Sequence, residues 1–168
     1  ERLGEIEFYS DDDDNAHIGA FIKAIADGSD VSGRRTTLTF GTQNHDSQVN
    51  AVEMMRLDCN GKLLIGTTTE GSGAADNLTV ADSGDCGLTI RSGASASGQI
   101  YFSDATSGDD EYDGAIEWSH SNQVMKFYAN STERLRIASS GEIGIAGANY
   151  GTSGQVLTSK GSGASVAW

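Results

Sequence analysis

Proline is missing from all 168 residues of this chain, and aromatic rings, basic side chains, cysteine and long apolar runs are all scarce. Aromatic residues make up 7% and hydrophobic residues 37%, thin for one compact core of this length. The apolar residues come in short alternating runs that never reach the roughly 18 in succession a membrane-spanning helix needs, which excludes insertion by such a helix. Lysine and arginine number 11 against 24 acidic residues, giving a formal net charge of −13. That surface repels nucleic-acid phosphates and anionic membranes. It favours solubility; the functional alternative is a divalent cation or a cationic partner. The two cysteines, Cys59 and Cys86, lie in different segments without CxxC spacing and read as reduced, half-buried residues, with a disulfide as the alternative. The opening "ERLGEIEFYS" shows neither Met nor a signal-peptide pattern and reads as a cut edge, so the chain is expected to be a piece of a longer one.

What the chain has is glycine, 22 residues of it, among many Ser, Thr, Ile and Val, a mixture that favours strands and frequent turns over helix. It also has an internal repeat. "VEMMRLDCNGKLLIG" (52–66) returns 80 positions later in "STERLRIASSGEIGIAG" (131–147), with Glu53 matching Glu133, Arg56 matching Arg136 and Gly61 matching Gly141. Period-2 alternation places Met55 and Leu57 on one strand face and Arg56 and Asp58 on the other, and likewise Leu135 and Ile137 opposite Arg136. Asn60-Gly61 between two alternating runs predicts a hairpin with a type I′ turn. Upstream, 4–11 matches 98–104, with Gly4 to Phe8 at an offset of 94, Gly19–Ile22 matches Gly114–Glu117 at 95, and Leu38–Phe40 matches Met125–Phe127 at 87. The order is kept while the offset drifts, as in repeats that retain strands and vary loops. "AFIKAIAD" (20–27) reads as a strand rather than a short helix on this alignment.

The fold class is therefore all-β: two similar antiparallel modules, residues 1–70 (truncated at its start) and 77–147, a linker at 71–76, and a Gly/Ser-rich tail at 148–168 with one short strand at 155–158. Leu78–Val80 and Leu88–Ile90 are expected to open the second module. Modules this small are marginal alone and expose sheet edges. Several chains associating around a common axis would bury the Ile/Leu/Met face centrally and leave the Arg, Glu and Asp face wet. Arg56 and Arg136 are expected to pair with Glu53 and Glu133 or with carboxylates of a neighbouring chain, and Gly61 and Gly141 to have positive φ.

"ERLRIASSGEIGIAG" resembles the "ERMRIDSSGNVGIGTT"-type repeat of tail-fibre proteins of tailed phages, especially marine ones. "LIGTTTE" (64–70) is similar to the end of that repeat, and "GQIYFSDATSG" and "NYGTSGQVLTSKGSGASVAW" resemble stretches frequent in such proteins. The chain departs from the pattern with Cys59-Asn60 for Ser-Ser, Met54-Met55 for Arg-Met, and "AGANYG" for "GTTSP". The resemblance implies an elongated, intertwined homotrimeric virion fibre, shaft or tip, assembled in the host cytoplasm. It would take part in host attachment beside other virion proteins, with a surface receptor, a glycan among the candidates, as partner. It implies neither nucleic-acid binding nor membrane insertion. The alternatives are a polysaccharide-degrading tail spike, and a capsid-decorating or bacterial surface adhesin fibre.

Chemistry is sparse. "DDDDN" (11–15), tested as a calcium loop from Asp11, has Ala16 where Gly is needed and Ile22 where Glu is needed. The loop from Asp109 places Glu111, Asp113 and Gly114 at ligand or turn positions but ends on His120. Both read as solvated loops. His17, His45 and His120 lie in or beside polar loops and in no nucleophile or metal motif. No residue is assigned as catalytic, cofactor-binding or metal-binding, no cofactor is expected, and the chain reads as no enzyme. Phe8, Tyr9, Tyr101, Phe102, Trp118, Phe127 and Tyr128 recur at strand positions and read as core. Tyr112, Tyr150 and Trp168 are the candidates for exposed recognition.

Overall fold

Alternation of apolar and polar side chains organises both halves of the chain. The computed structural model describes residues 2–9, 17–26, 35–43 and 50–168, which fall into two units, Glu1–Leu88 and Thr89–Trp168. The first is a six-stranded sheet in sequence order: β1 (Arg2–Tyr9), β2 (Ile18–Ala26), β3 (Thr36–Thr42), β4 (Val52–Leu57), β5 (Leu63–Ile65) and β6 (Leu78–Val80). The second holds five strands, also in order: β7 (Ser97–Phe102), β8 (Gly114–Ser119), β9 (Val124–Ala129), β10 (Thr132–Ile137) and β11 (Ile143–Ile145). Neighbours are antiparallel except β5 and β6. The only helical element among the described residues is a single 3-10 turn, Asp109–Tyr112.

Cross-strand register sets the side chains of each sheet in rows. One face of the first sheet carries Ile6–Ile22–Phe40–Met55–Ile65–Val80, flanked by Gly4–Ala24–Leu38–Leu57–Leu63–Leu78. The second sheet carries Ile100–Ile116–Phe127–Leu135–Ile145, flanked by Gly98–Trp118–Met125–Ile137–Ile143. Set side by side, the two sets of rows fall at offsets of 94, 87 and 80. They correct the offset of 95: Ile22 corresponds to Ile116, and Phe21 to Ala115. A slip of one residue exchanges the two faces of a strand, so register decides the alignment where short, weakly similar runs do not.

On the opposite, charged face, Glu5–Lys23–Thr39–Arg56–Leu64 crosses the first sheet and Gln99–Glu117–Lys126–Arg136–Gly144 the second. This face is not simply wet. Leu64, at 1% exposure, and Thr37 and Thr39 are the most deeply buried side chains of the first unit, and Ala115, Ser119 and Val124 are buried in the second. The two units fill this face differently. The Phe21 ring lies across Gly41, so close that a Cβ there would sit 2.2 Å from the ring. The matching cross-strand pair is Ala115 and Tyr128, with the ring supplied by the neighbouring strand. Leu64 likewise gives way to Gly144, where Tyr150 stands 3.0 Å from the place a Cβ would occupy.

The charged hairpins are alike in detail. Asp58 N–H donates to the Lys62 carbonyl (2.9 Å) and Gly61 N–H to the Asp58 carbonyl (3.1 Å); Ala138, Glu142 and Gly141 repeat the pattern at 2.9 Å each. Gly61 and Gly141 have φ of 82° and 94°. These are three-residue loops with a left-handed glycine last, not the type I′ turns expected, because positive φ falls on the glycine and not on Asn60 or Ser140. Both central residues have positive φ instead at Asn130 (54°) and Ser131 (51°), in the tight turn between β9 and β10.

Further expectations need correction. Leu78–Val80 pairs with β5 and belongs to the first sheet, and the units divide after Leu88, so 71–76 does not separate them. Leu88–Ile90 forms no strand, and of 155–158 only Thr158 makes an isolated bridge, to Ala167. In both places Gly and Ser flank too few apolar residues to fill a sheet position. The strand reading of 20–27 agrees with β2 as far as Ala26, and Asp27 lies outside the described residues.

Candidate functional site: the apolar sheet faces

In each unit the most continuous feature is the apolar row, and the chain leaves it substantially uncovered. Ile6, Phe8, Leu57, Leu78 and Val80 are exposed in the first sheet, and Ile100, Phe102, Ile137 and Ile143 in the second. The strand-end aromatics read as core are therefore surface residues of the single chain: Phe8 is 53% and Phe102 59% exposed, with Tyr9, Tyr101 and Trp118 also exposed. Phe127 and Tyr128, more central in their sheet, are half-buried. Single exposed apolar residues are ordinary; an aligned apolar face spanning a whole sheet marks an interaction surface.

The charged face supplies orientation. Arg56 binds Glu53 through two parallel contacts, the Nη2–Oε2 one at 2.9 Å, and Arg136 binds Glu133 at 2.5 and 2.6 Å. Residues three apart on a regular strand point to opposite faces, so an irregularity is required. A β-bulge provides it in both sheets: Phe40 and Gly41 face Met55 and Glu53, leaving Met54 extra, while Phe127 and Tyr128 face Leu135 and Glu133, leaving Arg134 extra. The bulge turns each glutamate onto its arginine's face. Glu133 holds the Arg136 guanidinium protonated well above its ordinary range, against the opposing effect of burial.

Two further clusters tie strands together. Lys62 Nζ bridges Glu70 (2.5 Å) and the buried Asp76 (2.6 Å), fixing the chain that leads into β6; hydrogen bonds to Asp76 and then Glu70 push its pKa up. In the second sheet the Glu117 carboxylate accepts from Lys126 (3.0 Å), Ser97 (3.0 Å) and Tyr128 (3.1 Å). Burial alone would raise the Glu117 pKa, but these donors, Lys126 foremost, bring it below the ordinary value. At the first hairpin burial likewise opposes ionisation of Asp58, and the backbone N–H groups of Lys62 and Asn60 outweigh it.

The loops weighed for metal binding resolve unequally. Asp11–Asn15 and His45 lie outside the described residues. Asp109 accepts from the Tyr112 hydroxyl (2.8 Å), and the Ser131 hydroxyl lies 3.0 Å from an Asp113 oxygen. Among the described residues no three or more His, Cys, Asp or Glu side chains are grouped to hold a metal ion. His17 Nε2 lies 2.7 Å from Gln43 Oε1, and His120 Nδ1 accepts from the Trp118 indole (3.2 Å). No disulfide joins Cys59 and Cys86; Cys59 is half-buried as expected, whereas Cys86 is exposed. Of the three loop aromatics, Tyr112 and Tyr150 are exposed, while Trp168 is half-buried, its indole N–H donating to the Asn149 carbonyl at 2.8 Å and its ring lying over Gly151.

No protein-family model and no curated protein matches the sequence. Among solved structures, the chain is similar to the carboxy-terminal domain of the bacteriophage T5 L-shaped tail fibre with its intra-molecular chaperone domain, at 12% identity and a TM-score of 0.49, covering 96% of this chain and 60% of that one. It is also similar to the carboxy-terminal domain of the same fibre described alone, at 13% identity and a TM-score of 0.42, covering 98% of this chain and 84% of that one. The chain thus spans 60% of the length of the first of these structures.

Proposed function

We propose that this chain is a segment of a homotrimeric virion tail fibre, structural rather than enzymatic, that takes part in attachment to the host cell. The observation that carries the reading is the apolar row repeated in register across both sheets and left uncovered by the chain itself. Copies of the same chain packed together would cover the row of each unit, because each chain offers the same faces. The charged faces, with their strand-spanning ion pairs, then remain toward solvent. The repeat motif's resemblance to tail-fibre sequences supports the virion and tail parts of the reading. Immunogold labelling of intact particles tests them: label at the tail tip or along fibres supports the proposal, while label over the capsid or on bacterial surfaces contradicts it.

A further inference from the structure

On the charged face of the second sheet, Gln99, Tyr101, Tyr112, Ala115, Glu117 and Tyr128 line a groove of about 220 Å³. The repeat explains why it is open. In the first unit Phe21 occupies the position of Ala115 and its ring closes over Gly41. In the second the small Ala115 becomes a buried floor and the ring moves aside to Tyr128. The walls are held in place. Tyr112 sits on the 3-10 turn with its hydroxyl on Asp109 (2.8 Å), and that turn is tied to the β9–β10 turn, where the Ser131 hydroxyl donates to the Asp109 carbonyl (2.9 Å). Tyr128 is anchored on Glu117. The Tyr101 ring, 52% exposed, stands 6.3 Å from Tyr112, tilted by 46°.

We propose that this groove binds one residue of a neutral saccharide. The tyrosine rings offer flat apolar surfaces to the C–H face of a sugar ring, and Gln99 with the edges of the Glu117 cluster offers donors and acceptors to its hydroxyls. Charge narrows the class. Asp109, Asp110 and Glu111 beside the groove repel an anionic sugar. Glu117, the one carboxylate in the lining, is already paired with Lys126, so no unpaired carboxylate lines the groove to hold a cation. The volume is below the roughly 300 Å³ at which pockets for larger ligands begin, so a single ring fits and single-site affinity is weak. Repetition of the chain in an assembly multiplies it. The inference rests on the fibre reading only in that the apolar face, and not this one, is turned to other copies.

The test is saturation-transfer NMR and titration on the assembled protein with neutral methyl hexosides, and with tetramethylammonium as the cationic control. The expected result is transfer from at least one hexoside and none from tetramethylammonium, with affinity falling about tenfold in Tyr101→Ala, the most that loss of a ring contact of this kind explains. Ala115→Phe, which places the first unit's residue in the groove, should abolish binding. Tyr101 is exposed, so its variant keeps the test decisive even where Ala115→Phe fails to fold. No transfer from any hexoside, transfer from tetramethylammonium alone, or binding unchanged in Tyr101→Ala would overturn the proposal. Sedimentation of the same samples separates the two readings: trimers without hexoside binding overturn the groove alone, and hexoside binding by monomers overturns the trimer alone.

Discussion

Gly61 and Gly141 close equivalent hairpins at positive φ, and a Cβ at either would meet no atom within 4 Å. A side chain there costs backbone strain and nothing else, so Gly141→Val should lower unfolding free energy by about 1–2 kcal/mol, and Gly141→Asn by less, since asparagine enters the left-handed region more readily. Urea denaturation measures both. At Glu117 the effect is in pH. Its pKa lies below the ordinary 4.5, so the stability it contributes is complete above that value and is lost as the pH falls through the lower, folded-state pKa. Glu117→Gln should flatten the dependence of melting temperature on pH below about 4.5, checked by calorimetry across the acid range. At this scale the sequence was partly legible. Glycine placement and the spacing of Glu53 from Arg56 pointed to the turn residue and the ion pair. The β-bulges that make the pairs geometrically possible were not legible, because Met54 and Arg134 share neither size nor polarity.

At the scale of strands, the two sheets solve one packing problem with exchanged side chains: Phe21 over Gly41 in one, Tyr128 beside Ala115 in the other. Gly41→Tyr alone drives a side chain into the Phe21 ring and should cost about 1–3 kcal/mol, as overpacking does. Phe21→Ala combined with Gly41→Tyr recreates the second sheet's arrangement and should recover much of that loss. A double-mutant cycle measures the coupling, and purely additive costs would contradict the exchange. The strands of β4 and β10 were legible from alternation and from 80-residue self-similarity. The alignment of β8 with β2 was off by one residue, because on letters "GAFI" over "GAIE" matches Gly and Ala, whereas the register that fits the cross-strand partners matches only Ile22 with Ile116. The place of β6 was hidden for a related reason: three apolar-polar residues carry no mark of which sheet they join, and Lys62 with Asp76 decides it through space.

Across the whole molecule, the apolar rows are what the chain leaves uncovered. In each sheet those rows were legible as a face, and the small size and open edges of each module as the reason for association; the number of copies came from resemblance alone. Ile137 stands in the row Trp118–Met125–Ile137–Ile143, 42% exposed in the single chain. If other copies cover it, Ile137→Asp buries an unpaired charge in every chain, costing several kcal/mol and dissociating the assembly; if nothing covers it, the change is close to neutral. Sedimentation equilibrium of the unaltered protein decides whether copies of the chain cover these rows. Trimeric covering gives a single species of three times the 17.5 kDa chain mass, persisting on dilution and lost in Ile137→Asp. A folded species at 17.5 kDa, melting cooperatively and unchanged by Ile137→Asp, would contradict it.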